Sequence, residues 1–377
     1  MDELEQLIAE GREQRINYGM EVTLAVAEKS LTTPLMAQND DAIIKTELQE
    51  KDAKVGMGVV MGMLAPLSGD GVSGNTDFEA NRDKMEYLNQ SVVYDSFGNS
   101  VKSDNTKITA RTIGKFREDA KRNLSEWGHK TLDRKVISRL AQDCTNIVAC
   151  KSDGVYQSNV TTSITTGDVM NTKAIDEMIR RAETMKDGNG NIHPGVRSIY
   201  TKVGKSPHSG APVFVHSYLL LLGSHGIAQL QDDPVWVDHQ KQLIRAMGQQ
   251  APIFTGEIGQ YKGVYVVDFK TWNAQRAGMP TSDLGGYKGV DFDKYKGASG
   301  KATEIGLFLG ATAGLCPQDD GFEWYENKAD EGRKMTIAID RGLAFAKTKY
   351  VGQTAEQQKL LWHGKDYSTT AVVYSKE

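Results

Sequence analysis

One stretch constrains the fold more than any other, residues 111–142. Its apolar residues are Ile113, Phe116, Ala120, Leu124, Trp127, Leu132, Val136 and Leu140, at steps of three, four and once five. That spacing keeps them on one stripe of a 3.6-residue helix. Gly114 and Gly128 are its weak points, each costing ~1 kcal/mol relative to Ala. At ~1.5 Å per residue the helix is roughly 45 Å long, about three times the ordinary length. Phe116, Leu124, Trp127, Val136 and Leu140 are its candidate core. Its other faces carry Lys115, Arg117, Lys121, Arg122, Lys130, Arg134, Lys135 and Arg139, in a chain whose net charge is −4. Such a face can neutralise nucleic-acid phosphates without sequence preference. Glu118, Asp119, Glu126 and Asp133 interleave with the basic residues, which makes pairing with acidic residues of the same or a neighbouring chain the expectation.

A chain of 377 residues with 39% hydrophobic and 25% charged residues has the make-up of a soluble globular protein of two or more subdomains. No apolar run is long enough to span a membrane, and the acidic start MDELEQLIAEG is not a signal peptide. Three scattered cysteines, Cys144, Cys150 and Cys316, provide neither a disulfide framework nor a zinc site.

Before the long helix, residues 1–51 are weakly amphipathic and then irregular. They are poor in large apolar residues, so we expect an arm that lies on something else, a neighbouring subunit being one candidate. Residues 52–102 read as two extended limbs, around VGMGVVMGML and SVVYDSFGNSVK, flanking the turn-rich PLSGDGVSGN. That is a projecting loop with little core of its own. After the long helix, a second amphipathic helix runs from Thr172 to Lys186, capped by Asn171 or Thr172. GAPVFVHSYLLLLGSHG reads as a buried strand entering a helix, and Asp233-Pro234 as a helix start. Residues 274–301 read as a polar inserted loop. MTIAIDRGLAFAK and STTAVVYSK read as strands returning beneath the long helix.

Chemistry-bearing patterns are weak. Gly69-Asp70-Gly71-Val72-Ser73-Gly74 fits GxGxxG, but Asp70 would face the phosphates and no second βαβ unit follows. His216, His225 and His239 lack metal-ligand spacing, and there is no P-loop or nucleophile elbow. We expect no catalytic residues, no cofactor and no metal.

The order of parts is more specific: arm, glycine-tipped loop, very long helix, α/β block, returning strands. It resembles the major capsid proteins of tailed bacteriophages, of the Hong Kong ninety-seven-type fold. MLAPLSGDGVSGNTDFEANRDKMEYLNQSVVYDSFGNSV, the helix with central Trp127, VFVHSYLLLLGSHGIAQLQDDPVW, APIFTGEIGQYKGVYVVDF and IGLFLGATAGL are similar to the phage N-four-like major capsid family. The resemblance implies an α+β capsid fold with five parts. These are an N-terminal arm (1–51), an extended loop (52–102), a peripheral domain with a spine helix (103–191), an axial domain (192–326, insert 274–301) and C-terminal strands rejoining the peripheral domain (327–377). It implies hexamers and pentamers of an icosahedral shell around double-stranded DNA, contacted non-specifically. A separate scaffolding protein, a portal and an optional decoration protein would be partners. The virion would be the final location, after synthesis in the host cytoplasm. The loop tip, Leu67, Gly69, Asp70, Gly71, Gly74, Arg82 and Lys84, would contact a neighbouring subunit. An encapsulin-type bacterial compartment is the alternative; a soluble nucleotide-binding enzyme rests on GxGxxG alone.

Overall fold

In the computed structural model, residues 3–49, 58–64, 87–103, 113–158, 163–186, 192–205, 212–247, 257–268, 295, 297–298, 302–329, 334–351 and 363–376 are described. The N-terminal part forms α1 (Glu3–Lys29), β1 (Met36–Ala37), β2 (Ile44–Leu48), β3 (Gly58–Leu64), β4 (Tyr87–Val93) and β5 (Asp95–Ser103). The long helix is α2 (Ile113–Ala141), followed by β6 (Ile147–Ala149), α3 (Thr172–Thr184), β7 (Ile199–Lys205) and β8 (Pro212–Leu222). Then come α4 (Ser224–Asp232), α5 (Pro234–Met247), β9 (Glu257–Tyr261), β10 (Val264–Asp268) and β11 (Thr303–Leu309). The chain closes with β12 (Gly314–Gln318), β13 (Glu323–Ala329), β14 (Lys334–Leu343), β15 (Ala346–Lys347) and β16 (Thr369–Ser375).

Two mixed sheets organise these elements. The first runs β1-β2-β12-β14-β13, with β15 on β12 and β5 on β14. The second runs β6-β16-β11-β8-β10-β9, with β7 on β8. The strands sort by burial pattern. β14 alternates buried and half-buried positions, as a sheet covered on one face requires, whereas β11 and β16 are buried throughout. One face of the second sheet packs with α2 and the first sheet in a core that includes Leu140, Leu221, Leu307 and Val373. Its other face packs under α3 and α4, with Met178, Leu230, Phe308 and Tyr374.

Two expected boundaries move. β5, placed in the projecting loop, pairs along its whole length with β14, so the loop's own ribbon is β3–β4, which ends at Val93 and packs Met61 and Val92 with Leu315 and Ala344. β12 and β13, placed in the 192–326 block, belong to the first sheet. β16, expected among the strands that rejoin the 103–191 block, pairs with β6 of that block and with β11 in the second sheet. Its central run Ala371–Tyr374 is apolar on both faces, so neither face can be left uncovered.

The N-terminal arm also has a definite place on its own chain. α1 packs on α2 and β13, burying Val22 and Val26, with the Tyr18 and Trp324 rings 5.4 Å apart. Two glycines permit the approach. A Cβ on Gly128 would sit 2.9 Å from Val26 Cγ2, and one on Gly19 would sit 2.3 Å from the Phe322 carbonyl oxygen. The residue that weakens α2 is thus the one that lets α1 lie against it.

Gly19→Ala should therefore destabilise the docking of α1 by ~1–3 kcal/mol, the cost of overpacking against backbone. Limited trypsin digestion should release α1 at Lys29 faster than in the unsubstituted protein.

Candidate functional site

The apolar stripe of α2 is placed along one core. Ala120, Leu124, Leu132, Val136 and Leu140 are buried, and Phe116 and Trp127 are half-buried against the same cluster. Trp127 stacks on Phe97 of β5, ring centroids 4.9 Å apart. The basic face is largely engaged within the chain. Arg117 makes a two-pronged pair with Glu326 at 3.0 and 2.9 Å. Lys121 pairs with Glu21 of α1, Lys130 with Glu126, and the Lys135 ammonium lies 4.6 Å over the Phe97 ring.

Three buried polar clusters fix the helices to the sheets. Asp133, on α2, accepts hydrogen bonds from the Ser30 hydroxyl (2.6 Å), the Leu31 and Thr32 amides (3.1 and 3.0 Å) and the Thr32 hydroxyl (2.7 Å). It thereby holds the chain where α1 ends. At the C-terminal end of α2, Lys347 Nζ donates to the Gln142 carbonyl (2.7 Å) and pairs with Asp366 at 3.0 Å, the two side chains being 5% and 0% exposed. A cation there also meets the negative end of the helix dipole. Asp366 in turn accepts the Thr145 amide (2.7 Å). The third cluster lies beneath α3. Arg181 bonds Glu177 (2.8 Å) and the carbonyls of Ile147 (3.0 Å) and Tyr156 (3.3 Å), joining α3 to β6.

Tyr295 is a residue that the sequence reading missed. It falls in the expected insert 274–301, of which only Tyr295, Gly297 and Ala298 are described. Its side chain is fully buried; its hydroxyl donates to the Ala141 carbonyl (2.8 Å) and accepts from the Cys144 amide (2.9 Å). Tyr287, Phe292 and Tyr295 are the aromatics of that polar segment, and nothing in the sequence singles out Tyr295 among them.

No catalytic grouping assembles among the described residues. His216 meets Ser198, His225 meets Glu304, and His239 lies edge-on to Tyr261, each on a different element. All three cysteines are buried, and burial raises their thiol pKa values, that of Cys316 to about 12. No cluster of metal-ligating side chains occurs among the described residues, and no helix described is long and apolar enough to cross a membrane. Leu67, Gly69, Asp70, Gly71, Gly74, Arg82 and Lys84, with the rest of the GxGxxG run, lie outside the described residues.

Large apolar side chains are instead exposed in three groups. Ile16, Met20 and Leu24 form a stripe along α1, 53–61% exposed. Val60 and Val93 project from the β3–β4 ribbon, whose other face buries Met61 and Val92. Tyr200, Phe214 and Val215 project from the β7–β8 ribbon. Such clusters mark surfaces that meet other molecules.

Known proteins match this architecture. A family model described as phage capsid protein matches residues 14–375. The major structural protein ORF14 of Helicobacter pylori bacteriophage KHP30 is 26% identical over 343 residues, 83% of each chain. The acidic stable capsid structure of the same phage superposes with a TM-score of 0.67 at 22% identity, covering 93% of this chain and 92% of that one. The capsid of Ralstonia phage GP4 gives 0.65 at 16% identity, with the same coverage.

Two measurements test the buried clusters. Lys347→Met should cost ~3–5 kcal/mol in urea unfolding, because it strands a buried carboxylate. Asp168 is 1% exposed. Burial raises its pKa, but the amides of Thr165 and Ser152, the Thr165 hydroxyl and Lys151 outweigh that and bring it from 3.8 to about 2. A depressed folded pKa stabilises above the unfolded value. About 2 kcal/mol should be present above pH 4 and lost as pH falls towards 2. Asp168→Asn should lack this step in a pH series of unfolding curves.

Proposed function

The chain belongs to the phage capsid protein family, and from that premise we propose how its parts build the shell. It is a structural component of the virion. The first sheet with α1 and α2 serves as the peripheral domain. The second sheet with α3, α4 and α5 serves as the axial domain, meeting its copies at capsomer centres. The β3–β4 ribbon is the base of the extended loop, and its tip, including Leu67, Gly69, Asp70, Gly71, Gly74, Arg82 and Lys84, reaches an adjacent subunit. Hexamers and pentamers of the chain close into an icosahedral shell around double-stranded DNA. A scaffolding protein, a portal and an optional decoration protein act with it, and assembly takes place in the host cytoplasm.

The observation that carries this reading is the family match over nearly the whole chain. The exposed apolar groups agree with it: they are costly in a monomer and become favourable when repeated copies bury them. Nothing in the family or in the relatives supports the encapsulin alternative, and the nucleotide-binding reading has no described site.

The chain, expressed with its phage's scaffolding protein, should sediment as closed particles visible by negative-stain electron microscopy. A persistent monomer under those conditions would contradict the proposal.

A further inference from the structure

α1 uses one side to lie on its own chain. Gly19, Val22 and Val26 are buried there against α2 and β13, and Tyr18 is half-buried beside them. Ile16, Met20 and Leu24 fall on another side. Their spacing of four residues stacks them in one row along the helix. They are 53%, 59% and 61% exposed, so no described element covers the row. Adjacent apolar side chains left in water are unfavourable. The neighbouring charges are placed as follows. Glu21 lies beside the row and is engaged by Lys121 of α2. Glu28 follows Leu24 by one turn, and Lys29 closes the helix; both are exposed.

The row is complementary to itself. It has a branched aliphatic side chain at each end and the adaptable Met20 at its centre. Two copies of α1 laid antiparallel, with a two-fold axis at Met20, set Met20 against Met20 and Ile16 of each copy against Leu24 of the other. This is the same patch used twice, as a two-fold contact requires. Charge selects the direction. A parallel pair would set Glu28 beside Glu28, and like charges so placed repel. In the antiparallel pair the two glutamates stand sixteen residues apart, roughly 24 Å along the helices. Each then falls opposite position 12 of the other copy, where the sequence has arginine.

We propose that α1 pairs with the α1 of a second copy, antiparallel about Met20, with Ile16 and Leu24 closing the row on either side. This contact rests on the shell reading above and adds a specific two-fold junction to it. Three partly exposed side chains fall well short of the roughly 800 Å² per partner that a stable interface buries. The pair therefore forms where a shell already holds the copies together. It leaves α1 on its own α2, since the two contacts use different sides of the helix.

The test places cysteines in the full chain, assembles particles and oxidises them, with circular dichroism confirming that each variant folds. Cys144, Cys150 and Cys316 are buried, and the unsubstituted chain measures their background. Met20→Cys sits on the axis and should convert about half of the chains or more to disulfide-linked dimers. Ile16→Cys and Leu24→Cys each stand eight residues, roughly 12 Å, from their own counterpart across the axis. That is beyond disulfide reach, so each alone should stay monomeric, whereas the variant carrying both should form dimers. Met20→Cys that stays monomeric in intact particles overturns the pair. So does Ile16→Cys that dimerises as strongly as Met20→Cys. A Met20→Cys chain that a thiol-to-amine crosslinker joins to the scaffolding protein, and not to itself, gives the row to that partner and overturns the pair as well. If the unsubstituted chain forms no particles, the shell reading fails, and the pair is tested on the soluble chain at millimolar concentration. The same arm serves any variant that does not assemble. There, Met20→Cys dimers beside monomeric Ile16→Cys support the pair, and monomeric Met20→Cys overturns it.

Discussion

The structure depends on the buried pair between Lys347 and Asp366. Lys347 lies in β15, which pairs with β12 in the first sheet, and Asp366 precedes β16 in the second. The ammonium also reaches the Gln142 carbonyl at the end of α2. One interaction therefore ties both sheets to the spine helix. Burying such a pair brings little net stability, since desolvation offsets the attraction, but breaking it leaves a charge with no solvent. The pair thus acts as a condition on geometry: the sheets can meet α2 in few other ways.

Further along α2 the fastening uses different chemistry. Asp133 gathers four donors from Ser30, Leu31 and Thr32, so a single carboxylate orients the exit from α1. Gly19 and Gly128 bring α1 close, and Arg117–Glu326 ties α2 to β13. α2 is thus fastened near its start by Arg117, at Asp133 along its length and at its close by Lys347. What remains to deform or to dock lies outside it, in the α1 stripe and in the two ribbons. That division suits a shell subunit, which must keep its body while its edges meet several neighbours.

Much of this was legible in the chain. The stripe from Phe116 to Leu140 could bury itself in one way, and Asn171 caps α3 through the Ala174 amide as its residue type suggests. Asp233 and Pro234 start α5 in the same manner. Strand membership was less legible. β5 is polar on most positions, DSFGNSVKS, and its partner β14 lies more than two hundred residues away, so nothing local separates it from the loop. β16 carried its signal in the apolar run Ala371–Tyr374, which marks a strand covered on both faces. Tyr295 was hidden because a polar segment gives no periodicity, and its role depends on two backbone groups at the end of a distant helix. α1 was hidden by weak amphipathicity: glycines and a carboxylate, rather than a broad apolar face, hold it down.

The central claim is that this chain is a shell subunit whose spine helix and two sheets form one body. Electron cryomicroscopy of assembled particles tests it most directly. The account predicts rings of five and six copies, each with α1 lying on the α2 of its own chain and both sheets joined at Lys347 and Asp366. Particles in which α1 crosses to a neighbour's α2, or a preparation that stays monomeric with scaffolding protein present, would contradict it.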